Sequence, residues 1–263
     1  MKNNKDAIFI KKVISFYNRN GRHTLAWRKN ITAYKILVSE IMLQQTQVSR
    51  VVPKFDMWMN LYPTLASLRE ATLTDILILW QGLGYQRRAK ALHDIAKEYK
   101  IIPKDFESLC KLPSVGTYTA SAVCAFAYDA FSYPMIETNI RTALIETFHK
   151  DKKEINDDIL REDLKRIVQN VLIQNMGARK WYYALMDYGA YLKEIKISHN
   201  DKSAHYSNQK VYKGSDRELR AKILFAITHK EKIPVDNRTQ KILVTLSKEG
   251  YIKKVGTTFS IKE

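Results

Sequence analysis

Residues 38–48 read VSEIMLQQTQV, which sets one carboxylate, Glu40, in an apolar run followed at once by the amides Gln44, Gln45 and Gln47. A carboxylate in apolar company costs several kcal/mol unless it is paired, neutralised or put to use. If used, it would be an acid or base whose pKa the apolar setting lifts toward neutrality. Residues 112–120 read LPSVGTYTA, where Pro113 and Gly116 make a tight turn ahead of a small-residue helix. Amides left open at such a helix N-terminus bind a phosphate oxygen without reading sequence. Taken alone, the stretch is equally an ordinary helix–turn–helix connection. Cys110 and Cys124 are too few for a four-thiolate site, and His199 and His205 lie in a polar stretch where solvation is expected. No metal and no cofactor are expected.

The elements that must position these residues are mostly helical. Apolar spacing predicts helices over 5–19, 31–45, 47–61, 73–82, 85–99, from about 117, and over 138–148, 154–173 and 178–193. A loop is expected over 20–30, and short helical turns open at Pro63–Thr64 and at Pro103 with Asp105. Residues 194–214 are polar, lack an apolar period and read as a linker. Residues 215–263 carry two helical segments and two short strands about Val255-Gly256, the order of a winged-helix-like module. The expected domains are therefore 1–193, the linker 194–214, and 215–263, in a mainly α protein.

Lys and Arg number 44 against 27 Asp and Glu, a net charge of +17 that makes nucleic acid the leading partner class. An anionic membrane surface ranks second, and a merely solvated lysine-rich surface is the bland alternative. No apolar run reaches the roughly 18 residues a membrane span needs, and the charged start is not a signal peptide. An intracellular protein without membrane association is expected.

Six stretches, AWR (26–28), SEIMLQQTQV (39–48), LWQGLGYQRRAKAL (79–92), LPSVGTYTASAV (112–123), ETNIRTAL (137–144) and ALMDYGA (184–190), occur together in this order. In them the chain resembles the helix-hairpin-helix (HhH-GPD) base-excision DNA glycosylases, most closely the MutY adenine glycosylase branch, over about residues 25–192. The resemblance implies a two-lobed helical glycosylase fold that flips a base out of duplex DNA. It makes Glu40 the proton donor and water activator. Glu137, with Asn139 beside it, takes the place of the carboxylate that stabilises the sugar cation. Arg28, Asp187 and Val48 are implied to line the base pocket, and Gln45 and Tyr85 to act as wedges. Pro113, Val115, Gly116 and Thr119 are implied to hold a phosphate at the hairpin. Arg87, Arg88, Lys90 and Arg141 are further phosphate candidates.

Three departures from the family pattern stand out. Where the family has Asp-Gly-Asn, this chain has Glu137-Thr138-Asn139, and Asp129 is an alternative carboxylate. Tyr118 stands where glycosylase-lyases carry a lysine nucleophile, so a monofunctional enzyme is expected; its ring either contacts the sugar or only packs on the hairpin. The four cysteines of the family's iron–sulfur cluster are missing, and 215–263 is too short for the NUDIX-like domain that reads oxidised guanine. That segment either adds DNA affinity through Arg217, Arg220, Lys222, Arg238 and Lys241, or is a packing or partner-binding module.

The implied function is removal of adenine from pairs with guanine or 8-oxoguanine. The partner would be mismatched or lesion-bearing double-stranded DNA, and the enzyme a monomer in the nucleoid-associated cytoplasm of a prokaryote. Excision of thymine or uracil opposite guanine, or of a modified base, is the first alternative. A catalytically inactive DNA-binding protein is the second.

Overall fold

The computed structural model describes residues 2–204, 211–234 and 236–263. The first helices are α1 (Lys2–Asn20), α2 (Ala33–Leu43), α3 (Val48–Leu61), α4 (Leu65–Glu70), α5 (Leu73–Leu79), α6 (Arg87–Glu98) and α7 (Phe106–Cys110). They are followed by α8 (Thr117–Tyr128), α9 (Thr138–Phe148), α10 (Asp157–Val168), α11 (Val171–Met176) and α12 (Ala178–Glu194). The C-terminal segment holds α13 (Asp216–Thr228), α14 (Asn237–Lys248) and the antiparallel pair β1 (Ile252–Val255) and β2 (Thr258–Ile261). Most elements match the apolar spacing. The helix expected over 154–173 is two, because Asn170 interrupts it and caps α11 by accepting from the Leu172 amide at 3.0 Å.

The chain divides into two compact units, residues 1–40 with 102–208 and residues 41–101 with 209–263. In the first, α12 is the central helix, with α1, α8 and α9 packed on it. Phe9 of α1 meets Phe148 and Trp181 edge-on, with ring centroids 5.2 and 6.3 Å apart. Gly189 lets α12 approach α9: a Cβ there would lie 2.0 Å from the Asn139 carbonyl oxygen. This close approach gives the ALMDYGA glycine a physical reason and brings the start of α9 against α12.

In the second unit α4, α5 and α6 pack together, and α13 lies on α5. The C-terminal segment is therefore no separate body. Ala221, Leu224 and Phe225 of α13 share a small pocket with Leu77 and Trp80. The Glu263 carboxylate accepts from the Leu73 amide at 2.6 Å at the start of α5, and from the Thr74 hydroxyl.

The expected linker also departs from expectation where it is described. Ile155 and Ser203 form a parallel bridge, and His199 Nε2 pairs with Glu146 at 2.5 Å, so the segment up to Ala204 is fastened to the first unit. His199 is thus paired rather than solvated; His205 lies outside the described residues.

Candidate active site

Glu40 sits one helical turn before the end of α2 and is only 4% exposed. Burial pushes its carboxyl up to about 7, and the nearby charge of Glu137 pushes the same way; a hydrogen bond from the Tyr118 hydroxyl and the Arg28 charge oppose this. The Tyr118 phenol is itself pushed well above its ordinary value, by burial first and then by the two carboxylates, so it stays a donor. Tyr118 reaches Glu40 because it stands in the first turn of α8, just past the hairpin.

Glu137 is the N-cap of α9. Its Oε1 accepts from the amides of Asn139 and Ile140 at 2.8 and 2.9 Å, two of the amides a helix start leaves open. Asn139 thus touches Glu137 through its backbone. Asp129, the alternative carboxylate, ends α8 in the left-handed region (φ 56°), accepts from the Arg179 amide at 2.7 Å and borders a cavity together with Arg28 and Tyr183.

Arg28 and Asp187 pair with each other, but not as equals. Asp187 accepts from Arg28 Nη1 and Nη2 at 2.7 and 2.9 Å, and from the Arg22 amide and Nε at 2.8 and 2.6 Å. Burial alone would raise its pKa, yet Arg28 and Arg22 hold it below the ordinary carboxylate value. With four donors on two oxygens, Asp187 is a support for Arg28 rather than a free base contact. The guanidinium of Arg28 lies 4.1 Å from the ring centre of Tyr183, and both border a cavity of about 340 Å³. The Arg28 Nε and the Tyr183 hydroxyl are buried, with no hydrogen-bond partner among the described residues. Tyr183 was missed in the sequence, where it is one aromatic among several in KWYYALMDYGA; burial pushes its phenol well above the ordinary value, and the Arg28 charge opposes this.

At the hairpin, Ser114 takes φ 60° and the Val115 amide bonds to the Leu112 carbonyl at 3.1 Å. Gly116 is the N-cap of α8 and brings no side chain to the helix start. Val115 and Thr119 are buried, and no side chain caps the first amides of α8. Pro113 is half-buried in the turn.

Gln45, Val48 and Tyr85 belong to the second unit. Gln45 (φ 54°) and Tyr85 (φ 47°) are both left-handed residues on short loops, and Val48 is the half-buried first residue of α3. Arg88 joins the two loops. Its guanidinium donates to the carbonyls of Ile41, Met42 and Gln44, and to those of Leu83 and Gly84, at 2.6 to 3.1 Å. Arg88 is 2% exposed, so it is a structural staple and not the expected phosphate contact.

Arg141 is corrected in the same way, buried and bound at Nε and Nη2 to Asp157 at 2.9 and 2.7 Å. Lys90 pairs with Asp94 at 2.8 Å, whereas Arg87 is exposed. In the C-terminal segment Arg220 pairs with Glu249, Lys222 with Glu218 and Arg238 with Asp216; Lys241 is exposed. Most of that expected basic side is thus spent on internal pairs.

The chain's two cysteines lie in α7 and just inside the end of α8, so these residues cannot supply a four-thiolate cluster. Among the described residues no three His, Cys, Asp or Glu side chains gather to hold a metal, and no helix is long and apolar enough to cross a membrane.

Residues 38–243 match the family model described as HhH-GPD superfamily base excision DNA repair protein. An adenine DNA glycosylase of Mycolicibacterium smegmatis (strain ATCC 700084 / mc(2)155) is 36% identical over 236 residues, 81% of this chain and 78% of that protein. One of Buchnera aphidicola subsp. Acyrthosiphon pisum is 36% identical over 194 residues, 70% of this chain; the match spans only 53% of that relative's length. Among solved structures, a thermostable thymine-DNA glycosylase superposes with a TM-score of 0.62 at 22% identity, covering 76% of this chain and 93% of that one. A trapped endonuclease III–DNA covalent intermediate superposes with a TM-score of 0.50 at 14% identity, covering 71% and 83%. At these identities the superpositions speak to the fold.

Proposed function

Because the chain belongs to the HhH-GPD superfamily of base excision DNA repair proteins, we propose that it is a monofunctional glycosylase that removes adenine mispaired with guanine or 8-oxoguanine. The observation that carries this reading is Glu40: a buried carboxyl with a pKa of about 7, bonded by Tyr118 and close enough to Glu137 to feel its charge. An acid poised near working pH is what departure of a purine requires.

Glu40 gives its proton to a ring nitrogen of the flipped base, so the base leaves neutral as the C1′–N9 bond breaks. The sugar is left as an oxocarbenium-like cation, which the Glu137 carboxylate stabilises. Glu40, now ionised, takes a proton from the attacking water, and an abasic site remains. Tyr118 holds the Glu40 carboxyl and supplies no amine for a Schiff base. Arg28, whose charge acts on Glu40, and Tyr183, which stacks on the Arg28 guanidinium, flank the flipped base. The hairpin start of α8 holds a phosphate, and Gln45 and Tyr85 take the wedge role that the resemblance gives them. The reading takes the protein as a monomer acting on double-stranded DNA.

The test is a panel of duplexes holding adenine opposite guanine, 8-oxoguanine or cytosine, and thymine or uracil opposite guanine, heated in alkali after incubation to reveal abasic sites. Strand breaks confined to adenine opposite guanine or 8-oxoguanine are expected. Breaks at thymine or uracil instead would replace adenine as the substrate, and no breaks with any duplex would leave a DNA-binding protein.

A further inference from the structure

Glu137 is held at both carboxylate oxygens. Oε1 caps α9, as described above. Oε2 accepts from the Thr138 hydroxyl at 3.2 Å, and that hydroxyl accepts from Lys193 Nζ at 3.1 Å. Lys193 lies in the last turn of α12 and reaches across 55 residues of sequence to make this bond. The relay has one possible direction. An ammonium only donates, so it occupies the Thr138 oxygen and leaves the hydroxyl proton to Glu137. Without the ammonium the hydroxyl is free to rotate toward water.

Glutamate has one more rotatable bond than the aspartate expected from the resemblance, and glycine in place of Thr138 would have no hydroxyl. This chain carries the longer carboxylate together with a hydroxyl and an ammonium that hold its second oxygen. The placement has a cost, since burial lowers the Lys193 pKa; the Glu137 charge opposes this, and Arg141 and Arg22 add to it. A partly buried lysine in this setting calls for a reason beyond solubility.

We propose that Lys193 is a positioning residue for base excision, which through Thr138 fixes the Glu137 carboxylate in the one orientation that serves the sugar cation. The inference rests on the glycosylase reading given above. Misplacing a reacting group by a fraction of its length is enough to slow chemistry by an order of magnitude or more. Lys193 acts before any bond breaks and takes no part in proton transfer.

The experiment compares Lys193→Met, Thr138→Val, the double variant and Lys193→Arg with wild type, in single-turnover excision at saturating enzyme. Each single change should lower the rate about tenfold with duplex affinity nearly unchanged. The double variant should lose little more than either alone, and Lys193→Arg, still a donor, should recover part of the rate. A loss of affinity and of salt dependence without a loss of rate would make Lys193 a phosphate contact. A borohydride-trapped adduct that vanishes in Lys193→Met would make it a nucleophile. Either result overturns the proposal.

A readout without DNA separates this inference from the enzyme assignment. The titration of the Lys193 ¹⁵Nζ signal should move to lower pH in Glu137→Gln, because the Glu137 charge now supports the ammonium. An unmoved titration refutes the relay even in an active enzyme; inactivity of the wild type on every duplex refutes the glycosylase reading alone.

Discussion

Arg217, near the start of α13, donates a hydrogen bond to the hydroxyl of Tyr85, 132 residues earlier in the chain. Its guanidinium also lies 5.3 Å from the centre of the Tyr85 ring and 5.9 Å from that of Tyr212. Tyr85 stands on a left-handed backbone in a short loop, so its ring is aimed partly by a residue of the C-terminal segment. Arg217→Ala and Tyr85→Ala should each weaken binding to a mispaired duplex. Their double variant should lose less than the sum, with a coupling of about 0.5–3 kcal/mol by fluorescence anisotropy. Additive losses would mean that the two residues act on DNA separately.

Excision should follow the protonation of Glu40. Its pKa is raised to about 7, so the acid form dominates below that pH and falls about tenfold per unit above it. Single-turnover rates should therefore decline as pH rises through about 7. A rate still rising between pH 7 and 9 would take the acid role from Glu40.

Stability carries the same sign. A carboxyl whose folded pKa is raised gives stability that is present below its unfolded value and lost as pH rises through about 7. Glu40→Gln should thus be inactive, yet melt higher than wild type at pH 8. The ceiling of the gain is on the order of 3 kcal/mol, at about 1.4 kcal/mol per pH unit.

Tyr118→Phe removes the donor that lowers the Glu40 pKa. The alkaline fall in excision should move to higher pH, while borohydride trapping stays at background in both proteins. Trapping in step with turnover would show that an amine forms a Schiff base with the sugar.

Gly189→Ala tests the α12–α9 contact. Its methyl group meets the Asn139 carbonyl oxygen at 2.0 Å, so the two helices must separate. A loss of about 1–3 kcal/mol in urea unfolding is expected, with a larger fall in excision than in duplex affinity, because Glu137 begins α9. Unchanged stability would show that the contact yields easily.

Much of the candidate site was legible because its residues are improbable where they stand. Glu40 in an apolar helix and Gly116 before a helix of small residues each call for an explanation within a few positions of sequence. The partners of Arg88 and Arg141 do not. Backbone carbonyls have no sequence signature, and Asp157 is 16 residues from Arg141, so both arginines read as surface charge. The packing of α13 on α5 was hidden for the same reason: an apolar stripe shows that a helix is covered, not by what. The break at Asn170 was a missed signal, since asparagine before an apolar run is an N-cap.

The interrupted path of the chain through its two units bears on how the protein is made. The main packing partner of α1 is α12, which begins at Ala178. At about 5–20 residues per second, a ribosome would hold α1 without that partner for roughly ten to thirty seconds. The second unit waits in turn, because the face of α5 that meets α13 stays open until the C-terminal segment emerges. Nascent chains released before α12 therefore lack the main surface that covers the apolar face of α1, and only its contacts with α9 and α10 can form, which ties the yield of folded protein to uninterrupted translation.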